Sequence, residues 1–258
     1  MSTGKAPNGG RRRILITGAS SGLGAEMARQ FAAKGHDLAL CARRVERLEE
    51  LRGEIRAAHP DRTVAIRNLD VDDHDDVFTV FASLADELGG LDRVIVNAGL
   101  GKGAPVGTGR FDANRETLTT NLVSGLAQCE AAMTHFRAAN AGHLVVISSM
   151  SALRGMPKGL TAYAASKAGI ASVAEGIRTE MIGTPIVVTT LFPGYIASEM
   201  NERVAQRTPL MTSTEKGVRA MVAAIDREVA EAAVPAWPWR PLGVVLRHAP
   251  LRILRKMA

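Results

Sequence analysis

The chain has 258 residues, with 32 Lys and Arg against 26 Asp and Glu and a net charge of +6. Residues 1–13 carry +4 and residues 235–258 carry +5, which leaves −3 between them, so the middle of the chain offers no basic face of the kind nucleic acid requires. The length suits one domain with a full core; two cysteines make no disulfide framework, and no apolar run is long enough to span a membrane.

Apolar runs recur along the chain as ILI, LALCA, VAI, VIV, LVVIS and IVVTTL, each separated by a helical pattern. That rhythm predicts an α/β fold of the Rossmann type, a doubly wound parallel sheet of about seven strands with helices on both faces. Residues 1–12 read as a disordered basic tail, 13–236 as the folded domain, and 237–258 as a basic amphipathic extension. Helices are expected over 22–34, 44–58, 74–89, 112–139, 161–182 and 213–230, with a seventh strand over 233–236.

The first strand runs into RILITGASSGLG, where Gly18, Gly22 and Gly24 lie between a strand and a helix, with Ser20, Ser21 and Leu23 among them. Glycine allows a tight turn and close approach of backbone to ligand. A helix that starts there presents free N–H groups to a pyrophosphate. The second strand ends in Cys41-Ala42 without the carboxylate that binds a ribose 2′-hydroxyl in NAD-preferring folds, and Arg43 and Arg44 follow. A guanidinium at a helix start is not favoured by the helix dipole, whereas its fork suits a phosphate. The pattern points to NADP(H).

Farther along, the acidic stretch DVDDHDD (70–76) lacks the glycine of a calcium loop at its sixth place. Asp72 and Asp73 are expected to cap a helix and fill its first turn, and no metal is predicted. Cys41 and Cys129 fall on a strand and a helix, where buried free thiols are expected. With no secretory leader pattern after the basic start, the setting is expected to be a reducing cytoplasm.

Tyr163 and Lys167 stand four residues apart in TAYAASKAG, and Ser149 precedes the tyrosine by fourteen. A phenol has a reference pKa near ~10. An ammonium one helical turn away favours the phenolate, and a serine hydroxyl can hold a substrate oxygen. A lone tyrosine–lysine pair is also how an ordinary core tyrosine looks. Joined to a nucleotide turn, the three read as general acid/base chemistry at a carbonyl or carbinol carbon.

Together these residues resemble a short-chain dehydrogenase/reductase of the single-domain kind, over residues 12–236. The resemblance rests on Thr17-Gly18 with Gly22 and Gly24, on Asn97-Ala98-Gly99, on Asn121, on Ser149, and on Tyr163 with Lys167. It implies Tyr163 as general acid/base, with Lys167 lowering its pKa and binding the nicotinamide ribose. It implies Ser149 as the group that orients the carbonyl and Asn121 as holder of a relay water behind the lysine. Asn97, Ala98 and Gly99 would close the fourth strand against the adenosine side of the cofactor, and Asp70-Val71 would border the adenine. Pro193-Gly194 would precede the nicotinamide amide site, where Ile196 and Ser198 fall. The implied function is reduction of a ketone or aldehyde by NADPH, or the reverse, by a homodimer or homotetramer; the alternative is an NADPH-sensing binding protein without turnover.

Two features depart from the family pattern. The serine–tyrosine interval is one residue longer than usual, which leaves Ser148 and Ser151 as alternatives to Ser149. The C-terminal end is replaced by AWPWRPLGVVLRHAPLRILRKMA. On a helical wheel Leu242, Val245, Leu246, Ala249 and Ile253 gather opposite Arg247, His248, Arg252 and Arg255, with a break expected at Pro250. Such a tail either packs on a neighbouring subunit or over the substrate pocket, or makes peripheral contact with a membrane. Residues 195–216, with Tyr195, Met200 and Met211, read as a substrate lid. The apolar tail and the methionines point to an apolar or lipid-like substrate.

Overall fold

A computed structural model describes residues 11–199 and 210–257. Seven parallel strands form one sheet in the order β3-β2-β1-β4-β5-β6-β7: β1 Arg13–Thr17, β2 Asp37–Ala42, β3 Val64–Asn68, β4 Arg93–Val96, β5 Gly142–Ile147, β6 Ile186–Pro193 and β7 Glu231–Val234. The order reverses between β1 and β4, which opens a crevice at the carboxyl ends of the strands.

The helices are α1 Gly22–Ala33, α2 Val45–Ala58, α3 His74–Leu88, α4 Phe111–Leu118, α5 Ser124–Ala139, α6 Thr161–Glu180, α7 Thr214–Asp226, α8 Ala236–His248 and α9 Leu251–Met257. Alternation along each strand sends side chains to both faces. Ile14 and Ile16 of β1 join Phe31 of α1, Leu48 of α2 and Met221 of α7 in one core. Leu15, between them, joins Phe81 of α3, Phe136 of α5 and Ile170 of α6 in the other. Burying each such side chain stabilises by about 1.5–3 kcal/mol, and burial on both faces is why the strands are apolar runs rather than alternating ones.

Several details differ from expectation. The helix expected over 112–139 is divided by a π-helical turn, Thr119–Val123, which carries Asn121. Asp73 caps α3 by accepting from the Asp76 N–H at 3.2 Å. Asp72 takes no part in the cap; its carboxylate accepts from Thr120 Oγ1 at 2.8 Å and Ser124 Oγ at 2.6 Å. The last strand is displaced toward Glu231, because Pro235 has no N–H to extend it and stands as the cap of α8.

At the N-terminus, residues 1–10 of the expected tail lie outside the described residues. Arg11 and Arg12 belong to the folded body: Arg11 pairs with Glu228, and the Arg12 and Arg13 N–H groups each donate to Asp92 Oδ2 at 2.9 Å. Residues 200–209 of the expected lid, including Met200, also lie outside the described residues. Its flanks meet where Ile196 pairs with Thr212.

Candidate active site

The turn after β1 is built around positions that exclude a side chain. Gly18 has φ +63°, and a Cβ there would stand 2.9 Å from Ala98 Cα; a Cβ on Gly24 would stand 2.3 Å from Gly18 O. Thr17 Oγ1 accepts from the N–H groups of Asn97 and Ala98, both at 3.0 Å, and Asn97 Nδ2 donates to Thr17 O at 2.9 Å. The segment after β4 thus clamps the turn. Ser21 occupies the N-cap of α1 without capping it through its side chain, which leaves the first-turn N–H groups of Gly22, Leu23 and Gly24 without that acceptor.

The Ser20 and Ser21 hydroxyls turn instead toward Arg44, which donates to Ser21 Oγ at 2.7 Å and Ser20 Oγ at 3.3 Å. Arg44 also reaches the Glu199 carboxylate at 3.1 Å, and Arg47 pairs with the other oxygen. These contacts, with the Arg47 hydrogen bond the largest, hold the Glu199 carboxyl below the usual range. A cleft of about 510 Å³ lined by Ser20, Ser21, Arg47 and Glu199 lies here. Another, of about 430 Å³, is lined by Gly22, Ser198 and Glu199. Arg43 points elsewhere, toward exposed Asp70 at 3.9 Å, while Val71 is buried behind it.

At the other end of the crevice the three serines separate by partner. Ser148 is buried and donates to Lys167 O at 2.7 Å. Ser151 donates to Ser149 Oγ through its hydroxyl at 2.9 Å and its N–H at 3.2 Å. Ser149 thus accepts twice at its hydroxyl oxygen. Burial raises the phenol above its ordinary value, and the Ser149 hydrogen bond opposes that. The net direction is upward, where the resemblance implies a phenol lowered by Lys167. The lysine is itself buried, donates to Ile147 O at 2.9 Å, and is lowered to about 8 by loss of water.

Asn121 is buried beside that lysine. Its Oδ1 accepts from Leu100 N at 2.7 Å, and its Nδ2 donates to Leu100 O at 2.9 Å and to Ser166 Oγ at 3.0 Å. Ser166 in turn donates to Tyr163 O at 2.8 Å. A Cβ on Gly99 would stand 2.9 Å from Asn121 Oδ1 and 3.3 Å from Lys167 Nζ, so glycine keeps these groups together. The π-helical turn re-aims Asn121 inward, a use such turns commonly serve.

Pro193, the last residue of β6, is buried, and Gly194 after it lies under the Trp239 indole, where a Cβ would stand 2.0 Å from the ring. Tyr195 packs edge-on against that ring at 5.4 Å. Ile196 is buried, and Ser198 borders Gly22. Arg47, Glu199, Ser166 and Trp239 were not anticipated as site residues. Arg47 lies one turn beyond Arg44, a spacing that signals a shared helix face; nothing in the sequence links Trp239 to Gly194.

The family profile described as short chain dehydrogenase matches residues 12–209. An uncharacterized oxidoreductase of Mycobacterium tuberculosis is 54% identical over 248 residues, covering 96% of this chain and 98% of the relative. The structure of a short-chain dehydrogenase from Sphingobium yanoikuyae in complex with NADPH superposes with a TM-score of 0.79 at 26% identity, covering 95% of this chain and 94% of that one. A serine dehydrogenase complexed with NADP+ superposes with a TM-score of 0.77 at 26% identity, covering 86% and 94%. The sheet order, the glycine turn and these relatives agree: the chain belongs to the short-chain dehydrogenase/reductase family of oxidoreductases.

Proposed function

We propose that this chain uses NADPH to reduce a ketone or aldehyde to an alcohol, or runs that reaction in reverse, on an apolar, lipid-like substrate. One observation carries the proposal: Lys167 is buried one helical turn from Tyr163 with its amine on Ile147 O, and Ser149 lies close enough to the phenol to pull its pKa down against burial.

The nucleotide end supports the cofactor. Gly18, Gly22 and Gly24 leave a cradle that side chains would fill, and the uncapped start of α1 supplies donors for a pyrophosphate. Arg44 with Ser20 and Ser21 supplies donors for a 2′-phosphate monoester, whereas Arg43 is turned toward Asp70. Asp70 and Val71 would border the adenine, and Asn97, Ala98 and Gly99 would line the adenosine side. Lys167 would meet the nicotinamide ribose, and Pro193, Gly194, Ile196 and Ser198 would lie on the side of the amide. When bound, the nicotinamide supplies the hydride to the carbonyl carbon.

The chain's own residues handle the proton. Ser149 holds the carbonyl oxygen, and Tyr163 gives that oxygen its phenolic proton. Burial keeps the phenol protonated at neutral pH, which suits an acid. The Lys167 ammonium stabilises the phenolate that remains, and Asn121 anchors the backbone behind it for resupply of the proton. Met150, Leu153, Phe192 and Trp239 pack together as an apolar cluster at this end of the sheet. Pairing as a homodimer or homotetramer would use residues 111–139 and α6, where Val123 and Leu126 are exposed. A reducing cytoplasm suits the two buried free thiols.

The test is NADPH oxidation across carbonyls graded by chain length, with Tyr163→Phe beside the wild type. Turnover that rises with chain length and falls at least ~100-fold in the variant is expected. Tight NADPH binding without turnover of any carbonyl would instead favour a sensor.

A further inference from the structure

The C-terminal helices carry apolar side chains on two opposite faces, and the body of the fold uses only one. Trp239, Leu246 and Ala249 turn inward with Leu254 and pack on Met150 and Phe192. Partly buried Leu242 joins them. A helix that merely covered this ground would be polar outside. Instead Trp237 is 80% exposed, Leu251 69%, Val244 60%, Val245 56% and Ile253 50%. The inward face answers the packing expectation with an intramolecular contact, and it corrects the wheel: Val245 and Ile253 face outward.

Basic groups border this outer face. Arg240, Val244 and Arg247 follow at helical spacing along α8, and Arg252 and Arg255 flank Ile253 in α9. All four arginines are exposed, and none makes an ion pair with a described residue. Residues 235–258 hold five Lys and Arg and no Asp or Glu. Exposed tryptophan, aliphatic side chains and uncompensated arginines form one surface.

We infer that this surface docks on an anionic lipid bilayer, with α8 and α9 lying along the headgroups. Trp237, Val244, Val245, Leu251 and Ile253 enter the interface, and the arginines meet lipid phosphates. A second copy is a poorer occupant, because a two-fold contact would set Arg240 and Arg247 of both copies against each other. Docking is peripheral, since no helix among the described residues is long and apolar enough to cross a membrane. The inference rests on no assumption about the reaction in the crevice.

The test is co-sedimentation of the full chain with phosphatidylglycerol or phosphatidylcholine vesicles, read together with tryptophan emission. Trp237 is exposed and Trp239 is 3% exposed, so an emission change on docking reports Trp237. Expected are about tenfold or tighter binding to phosphatidylglycerol, weakening with salt, and a blue shift on docking that Trp237→Phe removes. Val244→Ser with Ile253→Ser should weaken binding about tenfold while leaving melting and NADPH binding unchanged. Equal or absent binding to the two vesicles would overturn the inference. So would a dimer without lipid that already shields Trp237 and dissociates in the double variant, which would assign the face to a second copy.

Discussion

Glu199 lies 3.1 Å from Arg44 across the mouth of the nucleotide cleft, where Arg44 also holds Ser21 Oγ at 2.7 Å. A carboxylate thus stands beside the donors proposed for the 2′-phosphate. Arg44 is the branch point: its guanidinium joins the turn after β1 to the segment after β6. Hydrogen bonds to charged groups contribute about 1.5–3 kcal/mol. Arg44→Ser should therefore weaken NADPH binding by about tenfold to a hundredfold and leave NADH almost unchanged. Titration of both cofactors checks this, and an equal loss for both would show that Arg44 does not read the 2′-phosphate.

Glu199 should act in the opposite sense. Both partners of its pair with Arg44 are 44% exposed, so the pair is screened by water and contributes only about 0.2–1 kcal/mol. A bound phosphate would compete with it for the same guanidinium. Glu199→Gln is expected to tighten NADPH binding by about two- to fivefold, with a smaller gain in high salt. Calorimetric titration at low and high ionic strength would measure it; weaker binding in the variant would mean that Glu199 supports the site.

Much of this architecture was legible because strands buried on both faces must be apolar runs, and glycines between a strand and a helix have few other uses. Tyr163 and Lys167 were legible because four residues span one helical turn. The assignment of roles to Arg43 and Arg44 was not. The two are adjacent in the chain, and only the fold sends one toward Asp70 and the other toward Ser20 and Ser21. The π-helical turn at Asn121 left the helical pattern of 112–139 intact and so was invisible. In the tail, Ile253 was misassigned because Ala249 is extended, with ψ 135°. The helix after Pro250 therefore restarts with its own phase and buries Leu254 rather than Ile253.

His143 is fully buried at the opposite end of the sheet from the crevice, and its hydrogen bonds define its tautomer. Arg93 Nε donates to Nδ1 at 3.0 Å, so Nε2 carries the hydrogen and donates to Thr189 Oγ1 at 2.8 Å; Thr189 donates onward to Val229 O. Burial, with the charges of Arg93 and Arg11, pushes the imidazole well below its ordinary value. The unfolded chain protonates this histidine near ~6.5 while the folded chain does not. Its stabilisation is therefore complete above that pH and is lost as pH falls below it. His143→Gln should show a smaller drop in melting temperature than the wild type between about pH 7 and 5. Equal drops would remove His143 from the acid response.

Lys167 couples activity and stability through one buried amine. Burial lowers it to about 8, so in the proposed reaction the ammonium that would stabilise a Tyr163 phenolate is present below that pH and lost above it. Turnover at saturating substrate should be level below about pH 8 and fall as pH rises beyond it. The unfolded chain holds the same proton up to about 10.4. Below about pH 8 the folded protein therefore carries the full penalty of a buried charge, on the order of 3 kcal/mol. The hydrogen bond to Ile147 O returns about 1 kcal/mol. Lys167→Met removes both, so it should abolish turnover and raise the melting temperature at neutral pH by about 4–8 °C. That advantage should shrink as pH rises from about 8 toward 10.4, where the wild-type lysine becomes neutral in both states. A Met variant that melts lower than the wild type at neutral pH would show that the amine contributes to the fold more than its burial costs.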